Sequence, residues 1–374
     1  MSEFPLLKEM IDLPLARQIA GRIQAVYPQF AREEFVAAVD AELHRLELKH
    51  RFGLIADKLR AHLPQDYPAA VKILIEILDE DTREFERIED ASFRLLPIPT
   101  FVERYGLEHP RQSLDAMYII TRYSSCESAV RPFIMRYPQQ TMTRLQAWAK
   151  DSNEHVRRLV SEGSRPRLPW APQLREFIAD PTPALALLEI LKDDSSLYVR
   201  RSVANHLNDI SKDHPQVVLD TLKTWRVGAS EQRLWLINHA LRSLIKKGDP
   251  GALAILGYGE PQVELRELKL SPERLLFGDK LRFSFLLHNV GDKAQQLMID
   301  YVMHFVKANG KRAPKVFKLK KGTLKPGDSL SLSKSHAIRP ISTRRYYAGL
   351  QRLEIQVNGR IVGGADYELV MAGD

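Results

Sequence analysis

Asp151-Ser152-Asn153-Glu154-His155-Val156-Arg157-Arg158 and Asp194-Ser195-Ser196-Leu197-Tyr198-Val199-Arg200-Arg201 lie 43 positions apart and read as two copies of one pattern. An aspartate, small polar residues and then Val-Arg-Arg opening a helix is what a repeated helical hairpin looks like. Such a unit cannot bury its apolar face alone, so its recurrence predicts a stacked solenoid. The copies differ in one informative place: seven positions after His155 stands Glu162, and seven after Tyr198 stands Asn205.

Working outward, apolar residues keep a helical interval from about residue 5 to 257. Phe35, Val36, Val39, Leu43 and Leu46 form one stripe, Val71, Leu74, Ile75 and Leu78 another, and Val218, Leu222 and Trp225 a third. Prolines at 28, 64, 68, 110, 138, 181, 183, 215 and 250 fall between stripes, where helices are expected to stop. The period of the repeat lies in the HEAT/armadillo range, and six or more antiparallel helix pairs are expected.

After Pro261 the period changes to two. Leu281–Phe285, Val316–Leu319, Ser329–Leu332 and Leu353–Val357 largely alternate apolar with polar, as half-buried strands do. Asn309-Gly310, Pro326-Gly327-Asp328 and Asn358-Gly359 are turn signals. The expected fold is therefore multidomain: an all-α HEAT-like repeat solenoid over residues 1–258, then an all-β immunoglobulin-like sandwich over residues 262–374.

Charge is uneven. Residues 1–120 hold 15 Lys+Arg against 21 Asp+Glu, residues 121–261 hold 20 against 15, and residues 262–374 hold 20 against 11, for net charges of −6, +5 and +9. Basic residues gathered on part of a chain favour a polyanionic partner, because neutralised phosphates release counterions; a merely soluble basic surface is the plainer alternative. The single cysteine, Cys126, excludes an intrachain disulfide framework and a cysteine zinc cluster. The 11 histidines show no metal-ligand spacing, so neither metal nor cofactor is expected. No leader-like or membrane-spanning run stands out, which points to a cytoplasmic protein.

On a helix from about Asn153 to Glu162, His155, Arg158 and Glu162 share one face, with Val156, Leu159 and Val160 facing the core. Tyr198, Arg201, Asn205 and Asp209 make the equivalent stripe in the later copy. Arg158 and Glu162 are also simply an i, i+4 pair of a kind that decorates solvated helices, and Asp209 is placed to cap the turn before Pro215. Ser164–Pro172 holds three prolines, so Trp170 sits on a stiffened loop beside Arg165 and Arg167; it either fills a gap between helices or meets a cationic planar ligand. Glu127, in a second acidic position, lies near a helix start that it could serve through the dipole.

SCESAVRPFI from Ser125, HVRRLVSEGSRPRLPWAP from His155 and YVRRSVANHLNDISKDHP from Tyr198 resemble the AlkC-type alkylpurine DNA glycosylases, members of the HEAT-like-repeat glycosylase superfamily that includes AlkD. ISTRRYYAGLQRLEIQVNG from Ile341 is similar to the C-terminal immunoglobulin-like domain of one AlkC branch. The resemblance implies base excision repair: removal of 3-methyladenine and 3-methylcytosine from double-stranded DNA without a conventional base-flipping pocket. It also implies that Glu127, Arg158, Glu162, Trp170 and Asp209 lie at or near the lesion.

In this reading Glu162 is expected nearest the lesion, oriented by Arg158, with Asp209 and Glu127 adding negative field or holding the water. His155 and Tyr198 join the lesion-facing surface, and Arg157, Arg165, Arg167, Arg200 and Arg201 are expected phosphate contacts. In the strand domain Lys318, Lys320, Lys321, Arg344 and Arg345 are expected on DNA, and Tyr346 or Tyr347 either there or in the core. The protein is expected to act as a monomer, associated with the nucleoid when on DNA. No lysine stands in the polar stripes, so plain hydrolysis is expected rather than a Schiff-base lyase. The competing reading is a non-catalytic HEAT scaffold for nucleic acid or protein.

Overall fold

The computed structural model describes residues 6–78, 93–341 and 344–371. Among them are sixteen α-helices: α1 Leu13–Val26, α2 Arg32–Leu43, α3 Leu48–His62, α4 Tyr67–Glu76, α5 Pro97–Tyr105, α6 Pro110–Ile120, α7 Arg131–Arg136, α8 Pro138–Trp148, α9 Glu154–Gly163, α10 Arg175–Ala179, α11 Thr182–Leu191, α12 Leu197–Ile210, α13 Pro215–Arg226, α14 Glu231–Ala240, α15 Arg242–Lys247 and α16 Pro250–Ile255. None is long and apolar enough to cross a membrane. The prolines mark helix starts as well as stops: Pro68, Pro110, Pro138, Pro183 and Pro250 stand in the first turns of α4, α6, α8, α11 and α16. A first-turn N–H has no intrahelical acceptor, so proline loses nothing there.

The two copies of the repeat open α9 and α12. Asn153 caps α9 by accepting from the N–H groups of His155 and Val156 at 2.9 and 3.3 Å, and Ser196 caps α12 by accepting from Tyr198 at 3.2 Å. Val156, Leu159 and Val160 of α9 and Val199, Val203 and Leu207 of α12 are buried. Each such side chain is worth about 1.5–3 kcal/mol when withdrawn from water. Gly163 ends α9 where a Cβ would lie 2.5 Å from the Val130 side chain, so the helix can close on the Glu127–Val130 turn only without one.

The strands are β1 Val263–Ser271, β2 Arg274–Leu276, β3 Lys280–Asn289, β4 Gln295–Val306, β5 Arg312–Leu324, β6 Ser329–Ala337, β7 Gly349–Val357 and β8 Arg360–Val370. They form a three-stranded sheet, β1-β3-β6, and a five-stranded sheet, β2-β8-β7-β4-β5. Phe283, Phe285 and Leu287 of the first and Leu297, Ile299, Tyr301, Met303, Leu353 and Ile355 of the second share one core. Asn358 and Gly359, with φ of 44° and 79°, join β7 to β8, the double left-handed turn that Asn-Gly favours. Tyr346 belongs to the core, edge-on to Phe305 at 5.4 Å, whereas Tyr347 is half-buried under the Arg345 guanidinium at 5.7 Å.

Two compact units divide between His214 and Pro215. The change of secondary structure, which suggests a boundary near residues 258–262, comes later. The reason is local to the second unit. The backbones of Gly248 and Gly359 approach so closely that a Cβ on Gly248 would meet the Gly359 carbonyl at 2.7 Å, and Asn358 Nδ2 donates to the Gly259 carbonyl at 2.9 Å. The last helices and the sandwich are thus packed as one body.

Candidate active site

The first unit contains a cleft of about 780 Å³ whose walls include Glu127, His155, Arg158, Trp170 and Tyr198. These five come from four places: the turn before α7, α9, the Pro-rich loop after it, and α12. The polar stripe of each repeated helix is open at its N-terminal end and closed at the other. Tyr198 is 40% exposed, but Glu162 and Asp209 keep only 6% and 3%, because the loop after α9 folds back over them.

The ion pairs follow this geometry rather than helical spacing. Arg158 Nη1 lies 2.6 Å from Glu127 Oε2 and donates to Ser125 Oγ at 3.0 Å, and Ser125 in turn donates to Glu127 Oε2 at 2.8 Å. Its distance to Glu162 is 3.9 Å. The expectation that Arg158 orients Glu162 is therefore corrected: Glu127 takes the guanidinium, and Glu162 is held by Arg165 Nη1 and by the Ser202 hydroxyl, each at 2.5 Å. Burial opposes the Arg158 charge, but Glu127 and Glu162 outweigh it and hold the guanidinium above its ordinary pKa. The Arg158 guanidinium also lies 4.8 Å from the Tyr198 ring centre, and His155 meets the same ring edge-on at 5.7 Å. Burial pushes the His155 pKa down, so at neutral pH it is an uncharged ring.

Arg165, expected on phosphates, is buried instead between two carboxylates. Its Nε donates to Asp209 Oδ2 at 2.8 Å while Nη1 holds Glu162, and Lys212 takes the other Asp209 oxygen at 2.8 Å. Asp209 thus serves this cluster rather than capping a turn. Arg157 and Arg200 are likewise internal. Arg157 grips Asp194 through two bonds of 2.6 and 2.9 Å, and its Nη1 donates to the Asp151 and Ser152 carbonyls. Arg200 repeats the second contact on the Asp194 and Ser195 carbonyls at 2.6 and 2.8 Å. The first arginine of each Val-Arg-Arg is a strut for its own interhelical loop. Arg167 forms a bidentate pair with Asp213 at 2.8 Å, part-exposed. Arg201 is exposed and engages in no ion pair or hydrogen bond among the described residues, so all its donors are free.

Arg131 has no counterpart in the sequence reading and is fully buried. Its guanidinium donates to the carbonyls of Gly163, Arg165 and Pro172 at 3.0, 2.7 and 2.9 Å, so one side chain fixes both ends of the loop that carries Trp170. Burial lowers its pKa to about 10, which still leaves it charged at neutral pH. A strut to main-chain carbonyls leaves no mark in residue types, and that hid this role. Trp170 itself adopts φ of 64° and is 66% exposed. A bulky residue in the left-handed region costs about 1–3 kcal/mol and persists only where its surroundings over-determine it. Here Pro169, Pro172, Arg131 and Lys49, which donates to the Trp170 carbonyl, do so. The indole is presented, not packed away.

In the second unit Arg344 lies 4.0 Å from the Phe305 ring centre and Arg345 is exposed; Lys318, Lys320 and Lys321 are exposed along β5. Arg344 and Arg345 share an open depression with Phe277, Ile341 and Tyr346.

With this geometry in view, residues 121–244 match the family model described as DNA alkylation repair enzyme, and residues 264–371 match the C-terminal Ig-like domain described for the uncharacterised protein YhaZ. The chain is 37% identical to "Uncharacterized protein YhaZ" of Bacillus subtilis (strain 168) over 97% of its length and 99% of that protein. It is also similar to the Pseudomonas fluorescens alkylpurine DNA glycosylase AlkC bound to DNA containing an abasic site analog, at 38% identity and a TM-score of 0.88, covering 98% of this chain and all of that one. The chain belongs to the AlkC family of DNA alkylation repair enzymes. Its helical repeat region and its Ig-like domain both have counterparts within AlkC, and the expected architecture is confirmed by that match.

Proposed function

We propose that this chain is a DNA glycosylase that hydrolyses the N-glycosidic bond of cationic alkylated bases, 3-methyladenine and 3-methylcytosine, in double-stranded DNA. The helical residues 1–258 supply the chemistry and residues 262–374 supply further DNA contacts. The observation that carries the reading is the convergence of a carboxylate, Glu127, and an exposed indole, Trp170, on one cleft of a chain so similar to a glycosylase that binds abasic-site DNA.

An N3-methylated base already bears a positive charge, so it leaves as a neutral molecule when the electron pair of the C1′–N bond goes to the ring. No general acid is needed. The sugar is left as an oxocarbenium ion, which a nearby carboxylate stabilises and a water must reach. Of Glu127, Glu162 and Asp209, Glu127 is the one that lines the cleft, and it takes both tasks: it faces the sugar and accepts the proton as the water oxygen bonds to C1′. Glu162 and Asp209, expected to be foremost, act from behind it through the buried Arg165 cluster. Trp170 lies against the cationic base, and a desolvated cation–π contact of about 2 kcal/mol favours alkylated over ordinary bases. Arg201 meets phosphate.

Incubation of the folded protein with duplex DNA carrying 3-methyladenine is expected to release the free base and leave abasic sites, with no borohydride-trappable adduct. A protein that binds the duplex but releases nothing is a scaffold, and the reading fails. A second expectation concerns the strand domain. Replacing Arg344 and Arg345 together by alanine should lower the dependence of log affinity on log salt by roughly 2, one for each phosphate no longer neutralised. Point substitutions suit this test better than removing residues 262–374, which would strip the packing partner from α13–α16. A slope equal to the parent's would place these arginines off the DNA.

A further inference from the structure

The cleft is larger than the sugar chemistry requires. About 780 Å³ falls within the roughly 300–1,000 Å³ typical of small-molecule sites. Glu127, Arg158, Tyr198 and Trp170 supply only part of its lining. Another part comes from α3, α5 and the segment before α5, and includes Leu96 and the rings of Phe52 and Phe93, which meet edge-on at 5.6 Å.

The polar groups in this part of the lining are few, and most are engaged. Arg104 is bound to Asp57 by contacts of 2.5 and 2.6 Å, Thr100 donates to the Leu96 carbonyl at 2.7 Å, and Lys49 donates to the Trp170 carbonyl. Glu103 is different. It lines the cleft, is half-buried, and forms no hydrogen bond or close ion pair among the described residues. Burial pushes its carboxyl pKa up, against the more distant opposing charges of Arg104, Lys49 and Arg131. A cleft carboxylate with no protein partner is open to a donor brought by a ligand.

We propose that the part of the cleft lined by Phe52, Phe93 and Glu103 is a binding site for the free heteroaromatic base after the glycosidic bond has broken. The inference rests on the function proposed above. A planar purine or pyrimidine with an exocyclic amino group stacks on aromatic side chains and offers Glu103 a donor, whereas phosphate would be repelled and sugar left unstacked. The site holds product and makes the enzyme subject to product inhibition.

The test is isothermal titration of free 3-methyladenine into the full-length protein without DNA. Saturable binding is expected, weakened about tenfold or more by Glu103→Gln and by Phe52→Leu, in line with the loss of a hydrogen bond to a charged group or of an aromatic face. Absence of saturable binding to the parent protein overturns the proposal, as does binding of equal strength in both folded variants. Failure of the two readings is distinguishable: base release from DNA without free-base binding defeats only this site, and free-base binding without release defeats only the glycosylase reading. Should Glu103→Gln not fold, Phe52→Leu and the parent titration still decide it.

Discussion

Glu127→Gln is expected to reduce single-turnover base release by about 10²–10³-fold, the usual effect of deleting one group aimed at charge that develops in the transition state. Affinity for intact alkylated duplex should change only a few-fold, because an uncharged amide of the same size leaves the cleft walls in place. The amide also remains able to bond with Ser125, which now holds the carboxylate at 2.8 Å. What is lost is negative charge where the oxocarbenium ion forms, together with the acceptor for the water proton. Arg158, deprived of its 2.6 Å partner, would turn toward Glu162, now 3.9 Å away, and place positive charge nearer the sugar. The informative comparison is Glu162→Gln. Spacing alone makes Glu162 the obvious choice, whereas burial behind the cleft makes its charge a weaker lever on chemistry. Rapid-quench release assays beside gel-shift affinities at fixed salt decide the matter. If Glu162→Gln proves the slower enzyme and Glu127→Gln keeps near-parental rates, the assignment of the foremost carboxylate is wrong.

How far the sequence could be read follows from which interactions are local. The helix starts at residues 154 and 197 were legible because capping is settled within three residues of Asn153 and Ser196. The hairpin at Asn358-Gly359 was legible for the same reason: the turn conformation is set by the residues in it. The site was legible only as a set of residues. Arg158 has an acid at i+4, but its 2.6 Å partner is Glu127, 31 positions earlier. Arg157 pairs across 37 positions with Asp194, and Arg165 across 44 with Asp209. Helix stacking sets those pairings, and no periodicity in the chain records it. One local sign was there to be used. The first arginine of both Val-Arg-Arg copies follows the same Asp-Ser pair, and in both it donates to the carbonyls of that pair. A feature kept in both copies builds the repeat, so the arginine that differs in surroundings, Arg158 against Arg201, is the one free to serve the cleft. Arg131 gave no sign at all, since its acceptors are main-chain carbonyls 32 to 41 positions away.

Arg165→Met should be the most destabilising single change in the site. The side chain is buried and is the main counter-charge for two buried carboxylates; Met keeps its length and removes its charge. Asp209 would retain Lys212 at 2.8 Å, but Glu162 would be left with the Ser202 hydroxyl and a guanidinium 3.9 Å away. Stranding a buried charge in this way costs about 3–5 kcal/mol, against less than 1 kcal/mol for a typical exposed pair. In the parent, the carboxylates hold the Arg165 pKa above its ordinary value, so its stabilising charge is present throughout the neutral range. The loss is read as the deficit in urea unfolding of the variant against the parent at neutral pH. Adding Glu162→Gln should restore part of the loss, because it removes the stranded charge itself. A deficit that is additive with Glu162→Gln would mean that Arg165 acts by packing, and that the buried cluster contributes no electrostatic support to the cleft.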